Sequence, residues 1–234
     1  NQMLERLDEG FTAQRQFTGN AAHELRTPLA LMQAQVELFS AEHPDVLPET
    51  ADFLRLLREQ TERMTQMTRT LLEMCGLQAV PCTDHIELGP MIDEIFADLA
   101  PLAEKNNVML EREGDGTMTG SDTLIYRLLF NLTENAIKYN RPGGSVRLSV
   151  TPEPEKLLIR VADTGRGIPE HFQRSVFQPF FRVDKSRSRE YGGVGLGLSL
   201  VWEIVKLHGG TVCVENSSEA GTTVAVSLPL DKVK

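Results

Sequence analysis

The spacing of the apolar residues changes abruptly near position 80. Between positions 3 and 39, and again between 53 and 74, apolar residues recur three and four apart, which is the period of an amphipathic helix. A loop with Pro44 and Pro48 separates the two runs, and Pro81 is expected to end the second helix. The spacing therefore predicts two long helices in an antiparallel hairpin, followed by a domain of a different kind.

Each predicted helix has a narrow apolar stripe, and the hairpin offers too little other surface against which to bury it. The hairpin, residues 1–80, is therefore expected to pair with a second copy as a dimeric four-helix bundle. A monomeric hairpin that leans on the rest of the chain is the alternative.

Residues 83–231 alternate between short strand and helix patterns. Adjacent strands in pairs, separated by helices, are typical of an α/β sandwich in which helices cover one face of a single sheet. A polar, glycine-bearing stretch over 163–193 is expected to be a mobile loop. The strands are predicted near 86, at 108–112, 145–151, 156–162, 211–215 and 222–228, and the helices at 91–105, 122–139 and 195–208.

Composition excludes several classes of function. With 24 basic and 33 acidic residues the net charge is −9, which argues against a nucleic-acid surface. No run of about 18 apolar residues occurs, so we expect no membrane contact by this part of the chain. The cysteines lack metal-ligand spacing and are expected to be reduced. The chain begins without methionine and in a helical pattern, as expected for part of a longer protein.

The stretch FTGNAAHELRTPL places a histidine on the first helix. Residues two apart on a helix differ by about 200° in direction. With Ala21 and Leu25 on the apolar stripe, His23 is predicted to point outward, where a neutral imidazole can act as a nucleophile. Glu24 can orient it or accept its proton, and Thr27 lies one turn further on the same face.

The same stretch has two other interpretations. His23 could be an ordinary surface histidine, and its pairing with Glu24 could be chance. A zinc hydrolase would need a second histidine at position 27, which is threonine here. Pro28 cannot donate a hydrogen bond to the Glu24 carbonyl, so the helix is expected to loosen or bend there.

Four segments further along carry groups suited to a nucleotide, although each alone could be loop or surface sequence. They are NLTENAIKYN (131–140), DTGRGIP (163–169), FQPFFRVD (177–184) and GGVGLGLSLV (192–201). Asn131 and Asn135 offer amide oxygens to Mg²⁺, and Lys138 can meet phosphate. Asp163 can accept a hydrogen bond from the exocyclic amine of adenine. The glycines lead into a helix N-terminus that can receive phosphate.

Together with the histidine stretch, these segments resemble the sensor histidine kinases of two-component signalling, over about residues 15–229. The resemblance implies a dimerisation and histidine phosphotransfer domain at 1–80, with the end of a signalling helix at 1–16. It implies a Bergerat-fold ATP-binding domain at 83–231. The expected cofactors are ATP and Mg²⁺, and the expected partners are a second copy and a response regulator. The intact protein is expected to be a membrane receptor, this part being cytoplasmic.

The resemblance also implies a role for each matching residue. The phosphoacceptor, its acid/base partner, the residue used in dephosphorylation and the lid arginine are His23, Glu24, Thr27 and Arg182. The Mg²⁺ ligand is Asn135. The remaining nucleotide-binding residues are Asn131, Lys138, Tyr139, Asp163, Gly165, Gly167, Gly193, Gly195 and Gly197.

The predicted reaction is transfer of the γ-phosphoryl group of Mg·ATP to His23 and then to an aspartate of a response regulator, with phosphatase activity toward that regulator also expected. One alternative is an ATP-hydrolysing switch, but such enzymes carry a glutamate where this chain has Asn131, and an amide is no general base. The other is a non-catalytic dimeric scaffold that binds nucleotide only to change shape.

Overall fold

The computed structural model describes residues 2–77, 80–183 and 195–230, with side chains from residue 19 onward in the first helix. Two compact units divide the chain at 76/77. The first is a helical hairpin and the second is built around a β-sheet, which confirms the predicted class of helices followed by an α/β sandwich. None of the described helices is long and apolar enough to cross a membrane.

Two long helices form the first unit: α1 is Gln2–Glu42 and α2 is Pro48–Gly76. α1 continues through Pro28, so that proline does not end it. Pro48 is the first residue of α2, where a missing N–H costs no helical hydrogen bond. The prediction that Pro81 ends α2 was wrong, because the helix already ends at Gly76.

The inner face of the hairpin is narrow and partly polar. From α1 it buries Ala22 and Leu29, and from α2 it buries threonines, among them Thr61 and Thr68. The Oγ1 of Thr61 donates to the Leu57 carbonyl at 2.7 Å, so the hydroxyl is satisfied within its own helix. These contacts leave most of the apolar surface of α1 uncovered by α2.

The prediction that Leu25 belongs to the buried stripe was wrong for the single chain. Leu25 is 48% exposed, whereas Ala22 is 2% exposed. Leu25, Met32 and Phe39 lie seven residues apart on α1 and are all exposed, forming a second apolar stripe beside the buried residues Ala22 and Leu29. We call these three residues the outer stripe.

The described strands of the second unit are β1 Asp84–Glu87, β2 Met109–Gly114, β3 Thr117–Gly120, β4 Ser145–Pro152, β5 Lys156–Asp163, β6 Thr211–Ser218 and β7 Gly221–Pro229. Its described helices are α3 Leu88–Asn106, α4 Asp122–Lys138 and α5 Gly197–Leu207. Five strands form a sheet with the order β2-β4-β5-β7-β6, in which β2 and β4 are parallel and the other neighbours antiparallel. A separate antiparallel pair is formed by β1 and β3.

Alternation along the strands places the core on one face of the sheet, under α3, α4 and α5. In β4, Val146, Leu148 and Val150 are buried while the residues between them face outward. On the outer face, Arg147 pairs with Glu111 across neighbouring strands at 2.9 Å. This packing of helices on the sheet positions the side chains of α4, α5 and the end of β5 that form the candidate site.

Two features of the second unit were not predicted. β3 is only four residues long, and Thr117–Gly120 is too short and too polar to show a clear alternation. The stretch predicted as a loop contains two short 3-10 helices, Glu170–Phe172 and Ser175–Phe177. The part of that loop from 184 to 193 lies outside the described residues, as does residue 194.

Candidate functional site

His23 is exposed on α1, as the helical spacing predicted. Glu24 and Thr27 are exposed as well, and Thr27 follows His23 by one helical turn. The imidazole is therefore open to solvent in this chain, and a hydroxyl is placed on the same side of the helix. Solvent exposure and position agree with the predicted phosphoacceptor, while the roles of the three side chains stay predictions.

In the second unit, the N-terminus of α5 packs against two asparagines of α4. The Nδ2 of Asn131 donates to the Arg127 carbonyl at 2.7 Å, which fixes the direction of the side-chain amide. A Cβ added to Gly197 would lie 3.0 Å from the Asn131 Oδ1 and 3.6 Å from the Asn135 Nδ2. Gly197 therefore lets the first turn of α5, with its free N–H groups, approach the two amides closely.

Lys138 is not a free cation at this site. Its Nζ lies 2.8 Å from a carboxylate oxygen of Glu134, one turn earlier on α4, and both side chains are largely shielded from solvent. Because Glu134 occupies the ammonium group, Lys138 would have to leave or share this partner to meet a phosphate. The i, i+4 spacing of the two residues could have revealed this pair in the sequence.

Asp163 ends β5 with its carboxylate held by backbone donors. The Oδ1 accepts hydrogen bonds from the Gly165 N–H at 2.8 Å and from the Thr222 N–H at 3.2 Å. Burial raises the pKa of Asp163 above its ordinary value, and these two hydrogen bonds partly offset that rise. The carboxylate is thus fixed in direction by Oδ1, which leaves Oδ2 as the oxygen suited to a ligand.

The glycines that follow Asp163 are required because backbone atoms of neighbouring segments lie very close to them. A Cβ on Gly165 would lie 2.4 Å from the Tyr139 carbonyl oxygen, so this turn packs directly on the end of α4. Gly167 has a φ of 71°, and its Cβ would lie 1.9 Å from the Ser218 carbonyl oxygen. The Arg166 guanidinium lies 5.6 Å from the centre of the Tyr139 ring, a cation–π contact that joins the same two segments.

The hairpin between β6 and β7 contributes residues that the sequence did not single out. The Oγ of Ser217 accepts from the Ile168 N–H at 2.7 Å and lies 3.0 Å from the Thr222 Oγ1. Together with the Thr222 N–H on Asp163, these bonds clamp the 163–168 turn against the hairpin. Hydroxyl residues flank the turn in SSEAGTT, but only the fold shows that they face Asp163.

Residues 177–183 are attached to α5 and to its leading glycine. The Phe177 ring packs on Trp202 with ring centres 5.9 Å apart, and the Phe180 N–H donates to the Gly195 carbonyl at 2.8 Å. Phe180 has a φ of 63°, an uncommon conformation for a bulky residue. Arg182 lies two residues beyond Phe180 and is half-buried.

The structure thus gathers most of the predicted nucleotide residues in one unit, around α4, the end of β5 and the start of α5. Gly193 lies outside the described residues. Those brought together are Asn131, Asn135, Lys138, Tyr139, Asp163, Gly165, Gly167, Gly195 and Gly197. Amides and a helix N-terminus at one end, and the partly buried carboxylate of Asp163 at the other, suit the phosphates and the base of a nucleotide respectively.

Two known protein families match this chain, one in the helical hairpin and one in the second unit. Residues 13–75 match the His Kinase A (phospho-acceptor) domain. Residues 120–232 match the family of histidine kinase-, DNA gyrase B- and HSP90-like ATPases. The sensor histidine kinase RppB of Synechocystis sp. is 32% identical over 231 residues, which are 96% of this chain and 51% of the relative. The chain belongs to the sensor histidine kinases.

Other relatives of this histidine kinase chain point the same way. The sensor histidine kinase WalK of Bacillus subtilis is 33% identical over 235 residues, covering 96% of this chain and 38% of WalK. The chain therefore spans about half, or less, of the curated relatives it matches.

Solved structures support the fold. The catalytic domain of the histidine kinase ThkA aligns with a TM-score of 0.54 and 26% identity, covering 63% of this chain and 96% of that chain. Full-length ShkA in complex with AMPPNP aligns with a TM-score of 0.73 and 19% identity, covering 93% of this chain and 46% of that chain. The second unit is thus a Bergerat-type ATP-binding domain, which confirms the predicted class of nucleotide.

Proposed function

We propose that this chain transfers the γ-phosphoryl group of Mg·ATP to an imidazole nitrogen of His23 and then to an aspartate of a response regulator. The observation that carries the proposal is the close approach of Gly197 to Asn131 and Asn135, because it brings a helix N-terminus of the phosphate-binding kind beside two side-chain amides. Family membership and the exposed imidazole of His23 supply the acceptor.

In the first step the imidazole nitrogen attacks the γ-phosphorus. A phosphorus–nitrogen bond forms, the bond to the β,γ-bridging oxygen breaks, and ADP leaves. Glu24, next to His23 in the sequence, accepts the proton that the imidazole loses. Arg182 and Lys138 neutralise charge on the phosphates, which for Lys138 requires exchange of its Glu134 partner.

The residues of α4 fit a Mg²⁺ ion in their chemistry. Amide oxygens are hard ligands that suit this ion, and Asn135 is its proposed protein ligand beside the phosphate oxygens. When bound, the ion would neutralise phosphate charge and orient the γ-phosphoryl group. The chain's own contribution is to hold the Asn135 amide next to the first turn of α5.

The geometry at Asn131 favours transfer over hydrolysis. Its Nδ2 is committed to the Arg127 carbonyl, and an amide oxygen has too low a basicity to activate water. Adenine is proposed to bind at Asp163, where Oδ2 can accept from its exocyclic amine while Oδ1 is held by the backbone.

Partners and location are further parts of the proposal. The exposed outer stripe of Leu25, Met32 and Phe39 supports pairing with a second copy into a four-helix bundle. We also propose that Thr27 serves in dephosphorylation of the response regulator, and that the intact protein is a membrane receptor of which this chain is a cytoplasmic part. The phosphorylated aspartate of the regulator would carry the signal onward.

One experiment separates the proposed transfer from hydrolysis and from simple binding. The chain is incubated with γ-labelled ATP and Mg²⁺, and the label on the protein is tested for stability in alkali and loss in acid, as for phosphohistidine. We expect labelling that His23→Gln abolishes, while His43→Gln, a matched surface change at the end of α1, keeps it. Phosphate release without protein label, or label that survives His23→Gln, would contradict the proposal.

The metal assignment has its own test. Asn135→Ala should abolish Mg²⁺-dependent labelling of His23, because no other described residue of the site is proposed to ligate the ion. Titration of Mg²⁺ at fixed ATP should show no recovery at high concentration. Asn106→Ala, in which a similar amide at the end of α3 is lost, serves as the control. Unchanged labelling in Asn135→Ala would show that the ligand lies elsewhere.

A further inference from the structure

A hydrogen-bond network joins the end of α4 to the residue that follows Asp163. The Oγ1 of Thr164 accepts from the Ser145 N–H at 2.9 Å and lies 3.1 Å from the Asn140 Oδ1. The Asn140 Nδ2 donates to the Ser145 carbonyl at 3.0 Å, and its Oδ1 also accepts from the Arg141 N–H at 2.9 Å. Asn140 and Thr164 therefore meet at the first residue of β4.

The partners determine the direction of every bond in this network. Thr164 has one hydroxyl proton, and since its Oγ1 already accepts from Ser145, the proton goes to Asn140 Oδ1, which is closer than the Ser145 carbonyl at 3.5 Å. The Asn140 amide is then satisfied at both ends. A flipped amide would place its NH₂ group against the Arg141 N–H.

Gly144, which lies against this network, has no space for a side chain. A Cβ on Gly144 would lie 2.2 Å from the Asn140 Oδ1 and 2.5 Å from the Thr164 Oγ1. Asn140 and Thr164 are both partly buried, so loss of one side chain would remove the hydrogen bond that joins the two segments and leave the other side chain bonded only to the backbone near Ser145 and Arg141. Such a network holds two segments in a single relative position.

The two segments are the ones that define the base-binding end of the site. Asn140 follows Tyr139 at the end of α4, and Thr164 follows Asp163 at the end of β5. Gly165 packs on the Tyr139 carbonyl in the same region. We propose that the Asn140–Thr164 pair is a positioning device that sets the place of the Asp163 carboxylate and thereby the preference for adenine over guanine.

The chemical reason lies in the difference between the two bases. Adenine presents an exocyclic amine where guanine presents a carbonyl oxygen, so a fixed carboxylate binds the first and repels the second. A mobile carboxylate would attract adenine less and repel guanine less, because discrimination between the two bases needs a polar group held in a fixed position. This inference rests on the proposed binding of adenine at Asp163.

The test compares Thr164→Val and Asn140→Ala with the wild-type chain. The ratio of kcat/KM for ATP to that for GTP is measured in His23 labelling, together with inhibition by inorganic tripolyphosphate, which has no base. We expect the ATP preference to fall about tenfold through KM, as for loss of one buried hydrogen bond, with tripolyphosphate inhibition unchanged. Thr164→Ser, which keeps the hydroxyl, should restore the preference, and Asn106→Ala should not alter it.

A purely structural role would weaken ATP, GTP and tripolyphosphate in equal proportion, and that result would overturn the inference. An unchanged ATP preference in both folded variants would overturn it as well. If Asn140→Ala fails to fold, the Thr164→Val and Thr164→Ser pair decides the question alone. A wild-type chain with no preference for ATP would instead contradict the proposed adenine site itself, so the two failures are distinguishable.

Discussion

Gly197, the first residue of α5, lies against the side chain of Asn131 on α4, with little room for a methyl group. A Cβ would lie 3.0 Å from the Asn131 Oδ1, close enough that the amide would have to shift by a few tenths of an ångström. The side chain that must yield is itself tied to the Arg127 carbonyl. The contact thus links helix packing to nucleotide binding.

Gly197→Ala is therefore expected to weaken ATP binding without unfolding the protein. Alanine favours a helix over glycine by roughly 0.5–1 kcal/mol, which offsets part of the steric cost. Displacement of the Asn131 amide should raise the KM for ATP by about tenfold or more, since a buried hydrogen bond is lost. Titration with ATP and thermal unfolding of the same sample measure the two effects.

Gly76→Ala is the matched control, because a Cβ at the end of α2 would meet nothing within 4 Å. It should leave ATP binding unchanged. Equal affinity for ATP in Gly197→Ala and the wild-type chain would show that the close contact does not shape the site.

Asp163→Asn should separate stability from function. Burial raises the pKa of Asp163 in the folded chain, so the folded state binds a proton more readily than the unfolded state and the ionised carboxylate lowers stability at neutral pH. As pH falls through this raised pKa, the destabilisation disappears. Asparagine carries no charge, and its Oδ1 can still accept from Gly165 and Thr222, so the free energy of unfolding at pH 7 should stay equal or rise.

ATP binding should be lost in the same variant. With Oδ1 held by the backbone, the asparagine would present its NH₂ group, not an acceptor oxygen, to the adenine amine. In the wild-type chain, ATP affinity should fall as pH drops toward the raised pKa of Asp163. Calorimetric titration at several pH values and chemical unfolding test both points. Asp93→Asn, an exposed acid on α3, is the control, and a stability loss in Asp163→Asn with retained ATP binding would reverse the assignment.

Most of the second unit was predictable because its elements are long enough to show a period. β4, β5 and α4 each carry a regular alternation or a three-four spacing, and the predicted ranges fall within a residue or two of the observed ones. β3 was missed because its four residues, TMTG, are too few to show an alternating pattern. Its strand conformation depends instead on antiparallel pairing with β1.

The structure brings most of the predicted site residues together, but the hydrogen-bond partners of those residues were not predictable from the sequence. Asp163 and Thr222 are 59 positions apart, and only the antiparallel pairing of β5 with β7 brings them together. The Glu134–Lys138 pair differs, since its spacing of four on a helix is visible in the sequence. Long-range hydrogen bonds depend on strand register, which sequence patterns define poorly.

The Glu134–Lys138 ion pair should oppose nucleotide binding in the absence of Mg²⁺. Glu134 competes with phosphate for the Lys138 ammonium group and adds negative charge near the phosphates. Glu134→Gln should therefore lower the Kd for ATP a few-fold at low salt, a size typical of partly exposed ion pairs, whereas Lys138→Ala should raise it. Glu153→Gln, which removes a similar pair with Lys156, is the control. Weaker binding in Glu134→Gln would mean that the carboxylate positions the lysine instead.

Thr27→Ala should affect only the later reaction of the phosphorylated partner. Thr27 is exposed one turn after His23, where its hydroxyl can position a water molecule but makes no contact needed for attack by the imidazole. Labelling of His23 should stay unchanged, while dephosphorylation of the response regulator should fall at least about tenfold, since water loses its orientation. Ser40→Ala, an exposed hydroxyl later on α1, is the control. Equal loss of both activities would count against this role.

The outer stripe of α1 should hold the dimer together. Leu25, Met32 and Phe39 are 48%, 53% and 42% exposed in the single chain, and a seven-residue spacing is the repeat by which helices pair side by side. A charge at the centre of this stripe would be buried without a partner, so Met32→Asp should convert a dimer into a monomer in sedimentation at micromolar concentration. The helical circular dichroism should persist, because the α1 residues buried within the hairpin, Ala22 and Leu29, are unchanged. Met109→Asp, at a methionine of β2 that is even more exposed than Met32, should stay dimeric, and a dimeric Met32→Asp would place the interface on another surface.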